Sequence, residues 1–122
     1  MTHILLIDDD EQFRAMLAQM LGKDGHRVTL AGDGAEGLRL ALDVRPDLII
    51  TDILMPHQDG IETIMALAQA GSAIPIIAIS GGRRAISADF NLESAALIGV
   101  KATLAKPFDR AALRLAIERA LS

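Results

Sequence analysis

Two apolar runs of this 122-residue chain end in aspartate: Ile4 to Ile7 leads into Asp8-Asp9-Asp10, and Leu48 to Thr51 leads into Asp52. A short third segment, Leu104-Ala105, ends in Lys106-Pro107. If these segments are neighbouring strands of a parallel sheet, their carboxyl ends lie along one edge, and the acids and the lysine converge in one crevice. Grouped carboxylates raise one another's proton affinity unless a cation sits among them, so the pattern implies a divalent metal. A carboxylate is also a competent nucleophile toward phosphorus. To meet an anionic phosphoryl group it needs its charge neutralised, by a magnesium ion on one or two carboxylates and by a fixed ammonium. Asp8, Asp9, Asp52 and Lys106 supply those parts. Ser80, ending the run Ile76 to Ile79, adds a hydroxyl able to donate to a phosphoryl oxygen, and the small Gly81 after it leaves room for the group.

The elements that must position these residues alternate along the chain without an internal repeat or linker, as in one α/β domain spanning residues 1–122. Ile4 to Ile7, Leu48 to Ile50 and Ile74 to Ile79 are near-continuous apolar runs, the pattern of central strands covered by helices on both faces. His26 to Leu30 alternates and Ala102 to Ala105 is short and mixed, so these two read as edges. Helical spacing appears at Phe13, Met16, Leu17, Met20 and Leu21, at Ala35, Leu38, Ala41 and Leu42, at Ile61, Ile64, Met65 and Ala68, and at Leu113, Ala116, Ile117, Ala120 and Leu121. A less periodic helix is expected from Phe90 to Leu97, making five. Met16, Met20 and Met65 fall on these stripes and are expected to pack in the core. Asp10 is expected to cap the first helix. Right-handed crossovers then favour a flavodoxin-like, doubly wound, five-stranded parallel sheet of order 2-1-3-4-5, whose ligands bind beyond the carboxyl ends of the strands.

Composition narrows the function classes. The chain has no cysteine, which excludes disulfides, thiol nucleophiles and thiolate metal sites and suits a cytoplasmic protein. No apolar stretch approaches the roughly 20 residues of a membrane span, and the N-terminus lacks the pattern of a signal peptide. A net charge of -4 and the absence of Trp and Tyr count against nucleic-acid binding.

Taken together, Ile4 to Asp9, Pro46 to Pro56 with Asp59-Gly60, Pro75 to Ser80, and Lys106-Pro107-Phe108 resemble the receiver domain of two-component response regulators, and the resemblance covers the whole chain. It implies that Asp52 accepts a phosphoryl group from a histidine kinase in a Mg²⁺-dependent reaction. Asp8 and Asp9, with Asp52 and the backbone carbonyl of Leu54, would hold the Mg²⁺, while Ser80 and Lys106 would bind the phosphoryl oxygens. The Lys106-Pro107 bond is cis in most of the family. Two departures stand out. Thr103 replaces the aromatic residue usual on the last strand, and the stretch from Ser80 to Lys106 is longer than common, opening with Gly81-Gly82-Arg83-Arg84. Gly81 to Ser87 is accordingly expected to be the moving part of a switch, with Arg83 and Arg84 available to it.

Because the chain ends at Ser122, soon after the last helix, the expectation is a stand-alone, chemotaxis-regulator-like phosphoacceptor and not an enzyme, beyond self-catalysed phosphotransfer and autodephosphorylation. Its partners would be a sensor histidine kinase or phosphotransfer protein and a downstream protein, reached by contact or by onward phosphotransfer, with the chain a monomer or weak dimer. The alternative is an interaction module that keeps the fold without using phosphorylation, and the intact set of acids, serine and lysine argues against it. A phosphatase would want a second carboxylate two residues after Asp52, where Leu54 stands. A flavin binder would want stacking aromatics and a Ser/Thr-rich loop after the first strand, and neither is present.

Overall fold

The computed structural model of the protein describes residues 2–53, 60–80 and 100–122. In chain order these form β1 (His3–Ile7), α1 (Glu11–Lys23), β2 (Arg27–Ala31), α2 (Gly34–Val44), β3 (Leu48–Asp52), α3 (Gly60–Gln69), β4 (Ile76–Ser80), β5 (Ala102–Ala105) and α4 (Arg110–Leu121). The helix expected from Phe90 to Leu97, the segment Gly81 to Ser87, and Leu54, Met55, Pro56 and His57 lie outside the described residues.

All strand pairings are parallel and the order is β2-β1-β3-β4-β5, the flavodoxin-like topology expected, with the alternating and the short mixed segments at the edges. Side chains alternate across each strand, and both faces of the central strands are covered. Ile4, Leu6, Leu48, Ile50, Ile77 and Ile79 pack under α1 and α4 against Leu17, Leu21, Leu113 and Ile117. Leu5, Ile7, Ile49 and Ala78 pack on the other side against Ala41, Ile64 and Leu67 of α2 and α3. Burial on two faces is why these strands carry uninterrupted apolar runs.

Among the described residues, three helices begin on an aspartate cap. Asp10, Asp33 and Asp109 accept from the backbone N–H groups of Phe13, Glu36 and Ala112 at 3.1, 2.8 and 2.8 Å, each such cap being worth about 1 kcal/mol. The expected role of Asp10 is therefore present.

Most of the expected stripe positions face the core, among them Leu17, Leu21, Ala41, Ile64, Leu113, Ala116, Ile117 and Ala120, and the exceptions lie at the margins of the stripes. Met16 and Met65 are 49% and 47% exposed and so are not core residues; Leu42 and Leu121 also face outward. In α2 the expected Ala41 is buried and Leu38 packs against the core, but Ala35 and Leu42 face outward and Gly34 and Gly37 are buried instead, Gly37 letting the helix approach Ile7 closely. The close approach at Gly37 widens that face beyond the positions that apolar spacing marks. Among the described side chains of α3, Thr63, Ile64 and Leu67 are buried while Met65 and Ala68 are exposed; the side chain of the expected Ile61 lies outside the described residues.

Candidate functional site

Parallel pairing places the acids. Ile7 of β1 is in register with Thr51 of β3, so the next residues along each strand, Asp8 and Asp52, emerge side by side at the carboxyl edge. Both are buried, at 1% and 6% exposure. Lys106 follows β5, which lies beyond β4 from β3, and its long side chain crosses that gap. Its Nζ donates to Asp52 Oδ2 at 3.0 Å and to Asp8 Oδ2 at 3.3 Å. The Lys106-Pro107 peptide bond is cis. Asp9 is exposed, but one carboxylate oxygen from each of Asp8, Asp9 and Asp52 lies within 4.8 Å of the others.

Local contacts fix the two buried acids. The Asp10 backbone N–H donates to Asp8 Oδ1 at 2.8 Å, and the Asp8 N–H donates to the Ala31 carbonyl at 3.1 Å. The Arg14 guanidinium donates to the Asp8 carbonyl oxygen at 2.8 Å, and the Thr51 hydroxyl donates to the Asp52 carbonyl oxygen at 3.0 Å. Asp8 is thus held at its backbone as well as its carboxylate.

The electrostatics are those of a site short of positive charge. Burial pushes the Asp8 carboxyl up to about 6; repulsion from Asp52 adds to this, while the Asp10 N–H and Lys106 oppose it without cancelling it. Burial disfavours the charge on Lys106, yet the hydrogen bonds and attraction to Asp52 and Asp8 outweigh that and hold its pKa above the ordinary lysine value. One ammonium does not balance three carboxylates. The donor set is all hard oxygen, in two buried and one exposed carboxylate, which fits Mg²⁺ with part of its coordination left to water.

Of the residues expected from the sequence, Asp8, Asp9, Asp52 and Lys106 come together. Ser80 ends β4 with its backbone in register with Ala105, on the same edge, and Leu54 lies outside the described residues. Thr103 is exposed on β5. Two residues near the site were not read as such in the sequence. No motif marks Arg14, and helical spacing marks Phe13 only as a packing residue; yet the Lys106 ammonium lies 3.9 Å from the centroid of the Phe13 ring. The signal available was position: both belong to the first turn of the helix that starts at the site edge.

The sequence model of the response regulator receiver domain matches residues 4–118. The chain belongs to this family. The receiver is 38% identical over 96 residues to the transcriptional regulatory protein AfsQ1 of Streptomyces coelicolor, a match covering 79% of this chain and 42% of that protein. The receiver thus spans less than half the length of that curated relative. Among solved structures it resembles FixJ-N, with a TM-score of 0.89, 30% identity and coverage of 99% and 94% of the two chains. It also resembles the chemotaxis protein CheY4 of Vibrio cholerae, with a TM-score of 0.87, 28% identity and 99% coverage of both. Receiver domains are phosphoacceptor signalling domains of two-component systems and not conventional enzymes. Among the described residues, no helix is long and apolar enough to cross a membrane.

Proposed function

We propose that this receiver accepts a phosphoryl group on Asp52 from the phosphohistidine of a sensor histidine kinase or phosphotransfer protein. A carboxylate oxygen of Asp52 forms the new bond to phosphorus as the bond from phosphorus to the imidazole nitrogen breaks, and the imidazole leaves with its proton restored from solvent. The observation that carries this reading is the Lys106 ammonium 3.0 Å from Asp52 across the width of β4, since a lysine brought from a different strand onto a buried acid is the fixed positive charge the transfer needs.

Asp8, Asp9, Asp52 and the Leu54 carbonyl would hold Mg²⁺, which when bound supplies neutralisation of the phosphoryl oxygens. The Lys106 ammonium, staying in place, turns its donors from the carboxylate to a phosphoryl oxygen as the charge transfers outward, and the Ser80 hydroxyl donates to another. Arg14 keeps the Asp8 backbone in place while this happens. The added charge at the edge of the sheet is then read by a downstream protein, or the group is passed on to another histidine. In this role the protein works in the cytoplasm, as a monomer or weak dimer. The test is the initial rate of labelling by phosphoramidate with Mg²⁺ and with a chelator: a steep loss with chelator supports the metal assignment, and an unchanged rate overturns it.

A further inference from the structure

The Lys106 ammonium has two acceptors, Asp8 at 3.3 Å and Asp52 at 3.0 Å, and an aromatic ring, Phe13, with its centroid 3.9 Å away. That ring is itself held. It belongs to the first turn of α1, packs against the core beneath α1 and α4, and meets Phe108 edge-to-face with centroids 5.9 Å apart and planes at 83°. Phe108 follows Lys106 by two residues, so the ring and the lysine are registered to each other through the same short segment.

Resting on the phosphoacceptor reading above, we propose that Phe13 is a positioning residue for Lys106: its ring face seats the ammonium between Asp8 and Asp52 and keeps it there as the phosphoryl group arrives. A leucine or methionine would fill the same space in the core, but neither presents a negative face to a cation. A ring face also suits a group that must change partners. Attraction to it depends little on which way the N–H bonds point, so the donors are free to turn from the Asp52 carboxylate to a phosphoryl oxygen while the nitrogen stays seated. A third carboxylate in the ring's place would hold the ammonium harder and add another negative charge beside the incoming anion.

The experiment compares wild type, Phe13→Leu, Phe13→Met and Phe13→Tyr, each with Lys106 intact and with Lys106→Ala, at saturating Mg²⁺ and phosphoramidate. Melting temperature is recorded for each to separate loss of fold from loss of rate. With Lys106 intact, Phe13→Leu and Phe13→Met should slow the maximal labelling rate about three- to tenfold, and Phe13→Tyr should restore it to within about twofold. With Lys106→Ala the same substitutions should leave the remaining rate unchanged, because a merely structural role would persist there. Equal rates for Phe13→Leu and wild type, or an equal slowing in the Lys106→Ala background, overturn the proposal. A readout independent of phosphorylation is the proton shift of the Lys106 Cε methylene, moved upfield by the ring current in wild type and Phe13→Tyr and not in Phe13→Leu. Absence of that shift in wild type overturns the seat itself. Failure of wild type to label at all, with the shift present, would overturn the phosphoacceptor reading and leave the seat standing.

Discussion

Gly37 of α2 faces Ile7 of β1 so closely that a β-carbon on it would stand 2.7 Å from the Ile7 Cγ1, and closer still to the Cδ1. Ile7 is fully buried and cannot swing away. Gly37→Ala should therefore destabilise the fold by about 1–3 kcal/mol through overpacking, although alanine is the better helix former by about 1 kcal/mol. Ile7→Val, which removes the nearest methyl group, should recover part of that loss in the double variant. Gly22, in α1, has nothing near where a β-carbon would lie, so Gly22→Ala should be neutral or stabilise by up to about 1 kcal/mol. Urea unfolding of the four variants checks both signs.

Asp8 makes the metal-free protein's stability depend on pH. Its carboxyl titrates at about 6 in the folded state against an ordinary 3.8, so the folded protein holds that proton more tightly than the unfolded chain does. Below about 4 both states are protonated and there is no penalty; as pH rises to about 6 the penalty develops, up to about 3 kcal/mol, and it persists above that pH. Asp8→Asn, which cannot ionise, should gain stability relative to wild type across this window in the presence of chelator. Melting curves from pH 4 to 7 test it, and a difference constant with pH would contradict the assignment.

Adding Mg²⁺ at neutral pH should reverse that penalty. An ion bound only by the folded state at about 100 times its dissociation constant stabilises by about 2.7 kcal/mol. Asp9 contributes an exposed carboxylate to the acidic group, so Asp9→Ala should leave the metal-free melting temperature nearly unchanged while shrinking the Mg²⁺-induced rise. An equal rise in wild type and variant would remove Asp9 from the ligand set.

At the far end of α1, Asp24 ties that helix to the start of α4. Arg114 reaches it with Nη2 at 2.7 Å and Nε at 3.2 Å, and Arg110 donates to the same carboxylate through Nε, at 3.1 Å, and Nη2. The hydrogen bonds from Arg114, then those from Arg110, hold the Asp24 carboxyl well below the ordinary carboxylate range. A depressed folded-state pKa means that this contribution is fully present above about 4 and is lost as pH falls below it. Asp24→Asn should therefore be less stable than wild type at neutral pH, with the gap closing in acid, and amide exchange should quicken in the first turn of α4. Equal unfolding midpoints at neutral pH would show that the arginines hold nothing.

The sequence showed some of this and hid the rest for physical reasons. The central strands were legible because burial on both faces leaves continuous apolar runs, as in Leu48 to Ile50, and once they are parallel and adjacent the meeting of Asp8 with Asp52 follows from register alone. The face of α2 was only partly legible: Ala41 and Leu38 do turn inward, but hydrophobic spacing weighs large side chains and the close contact with Ile7 is made by a glycine. The Asp24 tie was invisible for another reason: its partners lie 86 and 90 residues away, and nothing local to Asp24 signals them. Phe13 fell on a packing stripe and does pack, so its second contact, with a lysine from the opposite end of the chain, left no trace in the spacing.

The central claim is that Asp52 is the phosphoacceptor, and intact mass after incubation with phosphoramidate tests it most directly. Wild type with Mg²⁺ should gain the mass of one phosphoryl group, and Asp52→Asn, folded by its melting curve, should gain none. A single phosphoryl group on Asp52→Asn at wild-type yield would place the nucleophile elsewhere and contradict the account.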